Sequence, residues 1–214
     1  YPRIAPLIDG QAWCEFFLGQ LDRAEEGFKK ALEVDPSYKW SKDGVLAVAA
    51  ARKAPLEAAA AAHRAGAYAE ARVLYEKIAA GKTAAPPSYA ADALAGEGRA
   101  LLALGRYDEA AKIFNQALQK RPNFAEAYKG IGYCAYYRRK HADALTPFLM
   151  ALKADPTDAA CRIAAAWCRY FKREYAEAEK EFLAAAASPA DAAAAWYGVG
   201  WSREMKKDEA LAAE

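Results

Sequence analysis

The stretch ALAGEGRALLALGRYDEAAKIFNQALQKRP, residues 93–122, decides the fold. Apolar and small residues recur in it at helical spacing, Gly105 interrupts the pattern and Pro122 ends it. It therefore reads as two helices joined by a tight turn. Ala110 marks a place where the helices nearly touch, and Phe114 and Ala117 fill the hairpin. The same marks return at a fixed interval. Ala110, Ala144 and Ala178 are spaced by 34 residues, as are Phe114, Phe148 and Phe182. Tyr133, Trp167 and Trp201 keep that interval, and Pro122 and Pro156 close successive units.

A period of 34 residues is that of stacked helix–turn–helix units. The marked residues resemble the tetratricopeptide repeat family across nearly the whole chain. Residues 91–124 have Gly98, Gly105, Ala110, Phe114, Ala117 and Pro122. Residues 125–158 have Tyr128, Gly132, Ala144, Phe148, Ala151 and Pro156, with Arg139 where the turn glycine is usual. Residues 159–192 have Ala166, Ala178, Phe182 and Ala185, with Arg173 at that turn and Pro189 one place early. Residues 5–38 have Ala12, Gly19, Ala24, Phe28, Ala31 and Pro36, whereas residues 52–85 have Gly66, Ala71, Tyr75 and Ile78 without the proline. The motif restarts at Trp196 and Gly200. The resemblance implies an all-α chain, a right-handed α-α superhelix of helical hairpins, each burying its face only against its neighbours.

The period breaks twice. Between Ala24 and Ala71 thirteen extra residues enter, near SYKWSKDGVLAVAAARKA, which reads as a helix ending before Pro55. Trp40 and Gly44 there have motif-like spacing, so an inserted or degenerate hairpin is expected at about 37–66. A second excess falls on the loop GKTAAPPS. The expected organisation is an N-terminal block, 1–82, and a regular block, 87–214, with its last repeat truncated. Residues 1–17 read as the first helix of a repeat and Glu214 falls inside one, so the chain reads as an excerpt of a longer protein.

Composition narrows the function. Thirty basic and 28 acidic residues leave a net charge of +2, which favours neither nucleic acid nor anionic lipid. The longest apolar run, Val45 to Ala51, is far below the ~18–20 residues of a membrane span. Alanine is abundant, as in Ala58–Ala62 and Ala184–Ala187, and it favours close-packed helices. The alanine bias also suggests a bacterial source. The four cysteines lack disulfide and zinc spacing and read as small, buried and reduced, which suggests the cytoplasm; the periplasm, within a larger envelope protein, is the alternative. His141 reads as a surface residue in a turn. No phosphate loop or nucleophile elbow occurs, so no enzyme, cofactor or metal is expected.

In this family the first helix of each hairpin lines a concave groove, and by register the ninth position faces it. That position holds Trp13, Ala60, Arg99, Tyr133, Trp167 and Trp201. The fifth holds Lys129, Ile163 and Tyr197. The pattern Trp13-Cys14-Glu15-Phe16-Phe17 recurs as Tyr133-Cys134-Ala135-Tyr136-Tyr137 and Trp167-Cys168-Arg169-Tyr170-Phe171. The candidate ligand-binding residues are thus Trp13, Lys129, Tyr133, Tyr137, Trp167, Phe171, Tyr197 and Trp201. Their rings form either an aromatic ladder for a ligand or packing between repeats. Phe16, Tyr136 and Tyr170 are assigned to packing. The family's carboxylate clamp needs Lys and Asn at the fifth and ninth positions. Tyr133 stands opposite Lys129 here, and Ile163 and Trp167 follow, so the clamp is absent. Arg138, Arg139 and Lys140, with Arg169, Lys172 and Arg173, complement helix C-termini and do not form a nucleic-acid stripe. The resulting expectation is a non-catalytic scaffold that binds a protein or peptide in an aromatic groove. The alternative is a segment of a bacterial exopolysaccharide export protein that contacts glycan.

Overall fold

A computed structural model describes residues 4–213, with the side chains of 209–213 left aside; Tyr1–Arg3 and Glu214, which fall in the expected first helix and last repeat, lie outside the described residues. Among the described residues there are eleven α-helices and no strand. They are α1 (Ile4–Phe17), α2 (Leu21–Val34), α3 (Lys39–Arg64), α4 (Tyr68–Ala79), α5 (Ala90–Ala103) and α6 (Tyr107–Lys120). Then follow α7 (Ala125–Tyr137), α8 (His141–Ala154), α9 (Ala159–Phe171), α10 (Tyr175–Ala185) and α11 (Ala192–Ala213). The all-α helical-repeat class read from the 34-residue period is the one found. The chain forms two compact units, Tyr1–Ala93 and Leu94–Glu214, divided within α5.

In the first unit α1 and α2 form a hairpin, and α3 packs on both. The thirteen extra residues do not build a hairpin. They lengthen a single helix: α3 has 26 residues, where α1 has 14 and α7 and α9 have 13. The expected stop before Pro55 does not occur, and Pro55 sits inside α3. Proline lacks the N–H for one helical hydrogen bond, but alanine runs on both sides hold the helix together. The first half of α3 closes over α2. Gly44 lies under the Phe28 ring, Val48 joins the cluster of Ala12, Ala24 and Phe28, and Arg52 pairs with Asp22 (2.6 Å) and Glu25. Ser41 donates to the buried carboxylate of Asp9 at 2.7 Å, which satisfies that group inside the unit. The second half, near Ala59, serves α4.

The second unit shows the repeat unit in its regular form. Each second helix carries Ala, then Phe four residues on, then Ala three further: Ala110, Phe114 and Ala117 on α6; Ala144, Phe148 and Ala151 on α8; Ala178, Phe182 and Ala185 on α10. All three phenylalanines are fully buried. Each ring also lies close to glycine backbone on a neighbouring first helix. A Cβ on Gly98 of α5 would stand 2.7 Å from the Phe114 ring, and one on Gly132 of α7 2.6 Å from the Phe148 ring. Gly130 on α7 and Gly198 on α11 lie against Phe114 and Phe182 in the same way. Phe182 also packs with Ala166 of its own hairpin. A phenylalanine therefore clamps the first helix of its own hairpin and that of the next. Between the helices, Gly105 (φ 74°), Arg139 (φ 59°) and Arg173 (φ 66°) occupy equivalent turn positions in the left-handed region. The two arginines thus adopt a backbone that L-residues disfavour.

Three of the four cysteines follow the expectation. Cys134, Cys161 and Cys168 are buried, and burial pushes each thiol up to about 12. Cys14 does not follow it: it is exposed on α1. Nor is His141 a plain surface residue. Its ring stacks on Phe171 at 4.1 Å and meets Tyr136 edge-on at 5.2 Å, and its Nδ1 is buried without a partner. Burial and nearby Arg139 hold its pKa below the usual histidine value. No helix among the described residues is long and apolar enough to cross a membrane.

Three outcomes follow from this packing. Gly130→Ala lowers stability by about 1–3 kcal/mol, since the new methyl collides with Phe114; Gly200→Ala, where a Cβ meets nothing within 4 Å, leaves stability unchanged or raised in denaturant titrations. Arg139→Gly relieves the left-handed strain and raises the melting temperature by about 2–4 °C. In a thiol titration with an aromatic disulfide reagent, Cys14 reacts at once at pH 8, and the other three react only when denaturant opens the helices.

Candidate ligand-binding face

Side chains four residues apart share a helix face, and three first helices in the second unit use this spacing. On α7 the residues are Lys129, Tyr133 and Tyr137; on α9, Ile163, Trp167 and Phe171; on α11, Tyr197 and Trp201. Tertiary structure joins their rings into one run. Tyr107 of α6 stacks on Tyr137 at 5.7 Å, and Tyr137 stacks on Tyr133 at 6.0 Å. Tyr136 links Tyr137 (5.8 Å) to Phe171 (6.4 Å). Phe171 leads to Trp167 (6.1 Å), Trp167 to Tyr197 (6.2 Å) and Tyr197 to Trp201 (6.1 Å). Tyr137, Phe171, Tyr197 and Trp201 remain exposed at 51%, 49%, 62% and 44%.

The ninth-position rings have two surroundings at once. Tyr133 meets the buried Phe148 edge-on at 5.1 Å, Trp167 meets Phe182 at 5.0 Å, and in the first unit Trp13 meets Phe28 at 5.1 Å. Each is half-buried, with an edge in the hairpin core. Each of these rings thus packs in its hairpin and keeps a part exposed. Phe16, Tyr136 and Tyr170 pack against the buried clusters of their units. Tyr133's burial pushes its phenol up to about 12, so it stays neutral.

The polar groups beside the rings are mutually engaged. Arg99 pairs with Glu126 at 3.5 Å, and Lys129 reaches Glu126 at 3.4 Å and Asp158 at 2.8 Å. Burial disfavours the Lys129 ammonium, but the hydrogen bond to Asp158 and the charge of Glu126 outweigh it and raise the pKa. Asp158 also caps α9 by accepting from the Cys161 backbone N–H at 2.8 Å. Lys129 is therefore fixed between two carboxylates at the edge of the ring run.

Of the eight candidate residues, the second unit brings together Lys129, Tyr133, Tyr137, Trp167, Phe171, Tyr197 and Trp201. Trp13 belongs to the first unit, where it contacts Phe16, Phe17 and Phe28. Sequence reasoning missed Tyr107, because it opens a second helix and only the hairpin turn carries it to Tyr137. It also missed Trp196, 55% exposed, although its position four residues before Gly200 was a usable signal.

Two segments match family models described as tetratricopeptide repeat, residues 96–159 and residues 10–38. No curated protein matches the chain. The fold resembles a tetratricopeptide repeat protein from Parabacteroides merdae, with a TM-score of 0.56 and 18% identity over 97% of this chain and 75% of that one. The MamA protein is similar at a TM-score of 0.54 and 16% identity, covering 90% of this chain and 96% of that one. The P58(IPK) TPR domain gives a TM-score of 0.54 and 17% identity over 81% of this chain and 48% of that one. Matched segments in both units, a 34-residue period and helical hairpins with the phenylalanine clamp agree: this chain is a tetratricopeptide repeat protein.

Proposed function

We propose that this chain is a non-catalytic interaction scaffold that binds an extended peptide or partner segment along the exposed rings of α7, α9 and α11. The observation that carries this is the uninterrupted ring run from Tyr107 to Trp201, exposed at Tyr137, Phe171, Tyr197 and Trp201. Aromatic rings offer large apolar contact with few rotatable bonds to freeze, which suits a binding surface. Because their inner edges are fixed against Phe148 and Phe182, Tyr133 and Trp167 are held in place before any ligand arrives. Lys129 is already neutralised by Glu126 and Asp158, so the surface favours an apolar or aromatic-contacting segment over a terminal carboxylate. Helical-repeat scaffolds of this family serve protein interaction, and no step of chemistry is assigned to these rings.

Peptides selected from a random library on the 214-residue chain test the reading. The variant Tyr137→Ala with Phe171→Ala binds them at least tenfold more weakly, about 1.4 kcal/mol, while helicity stays unchanged. Equal affinity for variant and parent, or selection of no peptide together with saturable binding of a soluble oligosaccharide, overturns it.

A further inference from the structure

In the second unit, the residue that opens a second helix backs the thirteenth-position ring of the next first helix. Tyr107, at the start of α6, stacks on Tyr137 of α7 at 5.7 Å with 21° between the planes. His141, 34 residues on at the start of α8, stacks on Phe171 of α9 at 4.1 Å and 20°. The next equivalent position is Tyr175, at the start of α10. His141 and Tyr175 also meet the twelfth-position ring of their own hairpins edge-on, Tyr136 at 5.2 Å and Tyr170 at 5.3 Å. An imidazole thus stands where its two counterparts are phenols. Unlike a phenol, it gains a proton in the mildly acidic range. Its Nδ1 is buried without a hydrogen-bond partner. Neutral imidazole fits there, because a bare Nδ1 lone pair needs no acceptor. A proton on Nδ1 makes it a donor with nothing to receive it, and the charge lies at the N-terminus of α8, where the helix dipole opposes it. The surrounding groups do not offset that charge. Arg139, in the α7–α8 turn, is itself a cation. The Tyr136 phenol on α7 and the Cys168 thiol on α9 are kept neutral by burial. Lys172, next to Phe171, is held by Glu174, and Asp143 on α8 is exposed. Burial and Arg139 outweigh the weak attraction of a ring face for a cation, so His141 keeps a pKa below the usual histidine value.

We propose that His141 is the positioning residue of Phe171, and that its protonation releases this ring and makes the α7–α9 part of the binding face acid-sensitive. The effect on a ligand rests on the ring-run reading above; the effect on Phe171 rests on the ring contacts alone. In the neutral state the imidazole covers one face of Phe171, which stays half exposed. To carry a proton on Nδ1 the imidazole turns out toward water, and the stack is lost. Phe171 is the link between Tyr136 at 6.4 Å and Trp167 at 6.1 Å, so its displacement parts the rings of α7 from those of α9. The face with Phe171 held binds fewer protons than the released one. Affinity for a ring-run ligand therefore rises with pH and is lost as pH falls through the His141 pKa. Tyrosine at this position, as at Tyr107 and Tyr175, backs the same ring without titrating below about pH 9.

Ligand-free proton NMR of the 214-residue chain reads the contact directly. The His141 C2 proton, identified by its absence in His141→Tyr, is expected to titrate below the ordinary histidine range. Its protonation abolishes the upfield shift that the Phe171 face imposes, and Phe171→Ala raises its pKa toward the ordinary value. An ordinary pKa in the parent, a ring-current shift that persists in the protonated form, or a pKa indifferent to Phe171→Ala overturns the proposal. The second measurement uses library peptides that bind the parent and lose affinity for Tyr137→Ala with Phe171→Ala. Between about pH 8 and about pH 5 the parent loses at least tenfold in affinity. His141→Tyr binds throughout as the parent does at the upper pH, and His141→Ala as the parent does at the lower one, both with unchanged circular dichroism. A parent indifferent to pH overturns the proposal, as does an equal loss in His141→Tyr, which would place the titrating group among the carboxylates at Lys129. If no peptide binds the ring run, that reading fails alone, and the NMR titration still decides whether His141 positions Phe171.

Discussion

The interaction on which the rest depends is a phenylalanine ring pressed onto bare backbone. Phe114, Phe148 and Phe182 reach the first helix of their own hairpin at Gly98, Gly132 and Ala166. Phe114 and Phe182 also reach the following one at Gly130 and Gly198. A buried ring supplies a large apolar area, and glycine lets helix axes approach until that area is used in full. Because the ring touches two successive first helices, it sets the spacing within a hairpin and the spacing between hairpins together. In the first unit Phe28 does the same, with Gly44 of α3 below it.

That constraint fixes the direction of everything on the first helices. Once positions six and eight are committed to phenylalanine, positions five, nine and thirteen fall on the adjoining side of the helix. Lys129, Tyr133 and Tyr137 occupy them on α7, and Ile163, Trp167 and Phe171 on α9. The ninth residue stands at the border, so its ring has an inner edge against phenylalanine and an outer part free. A binding surface on such a border is rigid because its anchors belong to the core. The ion pairs of Arg99, Glu126, Lys129 and Asp158 run across successive repeats beside it and discharge one another.

The first unit shows how the repeat tolerates an insertion. Thirteen residues amount to between three and four helical turns, so they can lengthen a first helix without ending it. The first half of α3 keeps the contacts owed to α2, and the second half carries those owed to α4. Alanine on both sides of Pro55 makes the continuous helix a better solution than a turn that would need its own polar caps.

Much of this was legible in the residues. The 34-residue interval of Ala110, Ala144 and Ala178 with Phe114, Phe148 and Phe182 identifies paired helices, because only a repeated packing geometry demands the same small and large residues at the same separation. Arg139 and Arg173 stand out as turn positions by register, and both adopt the left-handed backbone. The extra segment was misread, since Pro55 looks like a stop when neighbouring contacts are unknown. Cys14 and His141 were misplaced for a related reason: a residue's burial is set by what packs over it, and Phe171 covers His141 from thirty residues away in the chain. Sequence by itself determined the helices, the hairpins and the side of each helix that must face inward, because these follow from local propensity and spacing. Only tertiary structure decided that the rings from four helices meet in one run, because such contacts depend on the distance and angle between helices.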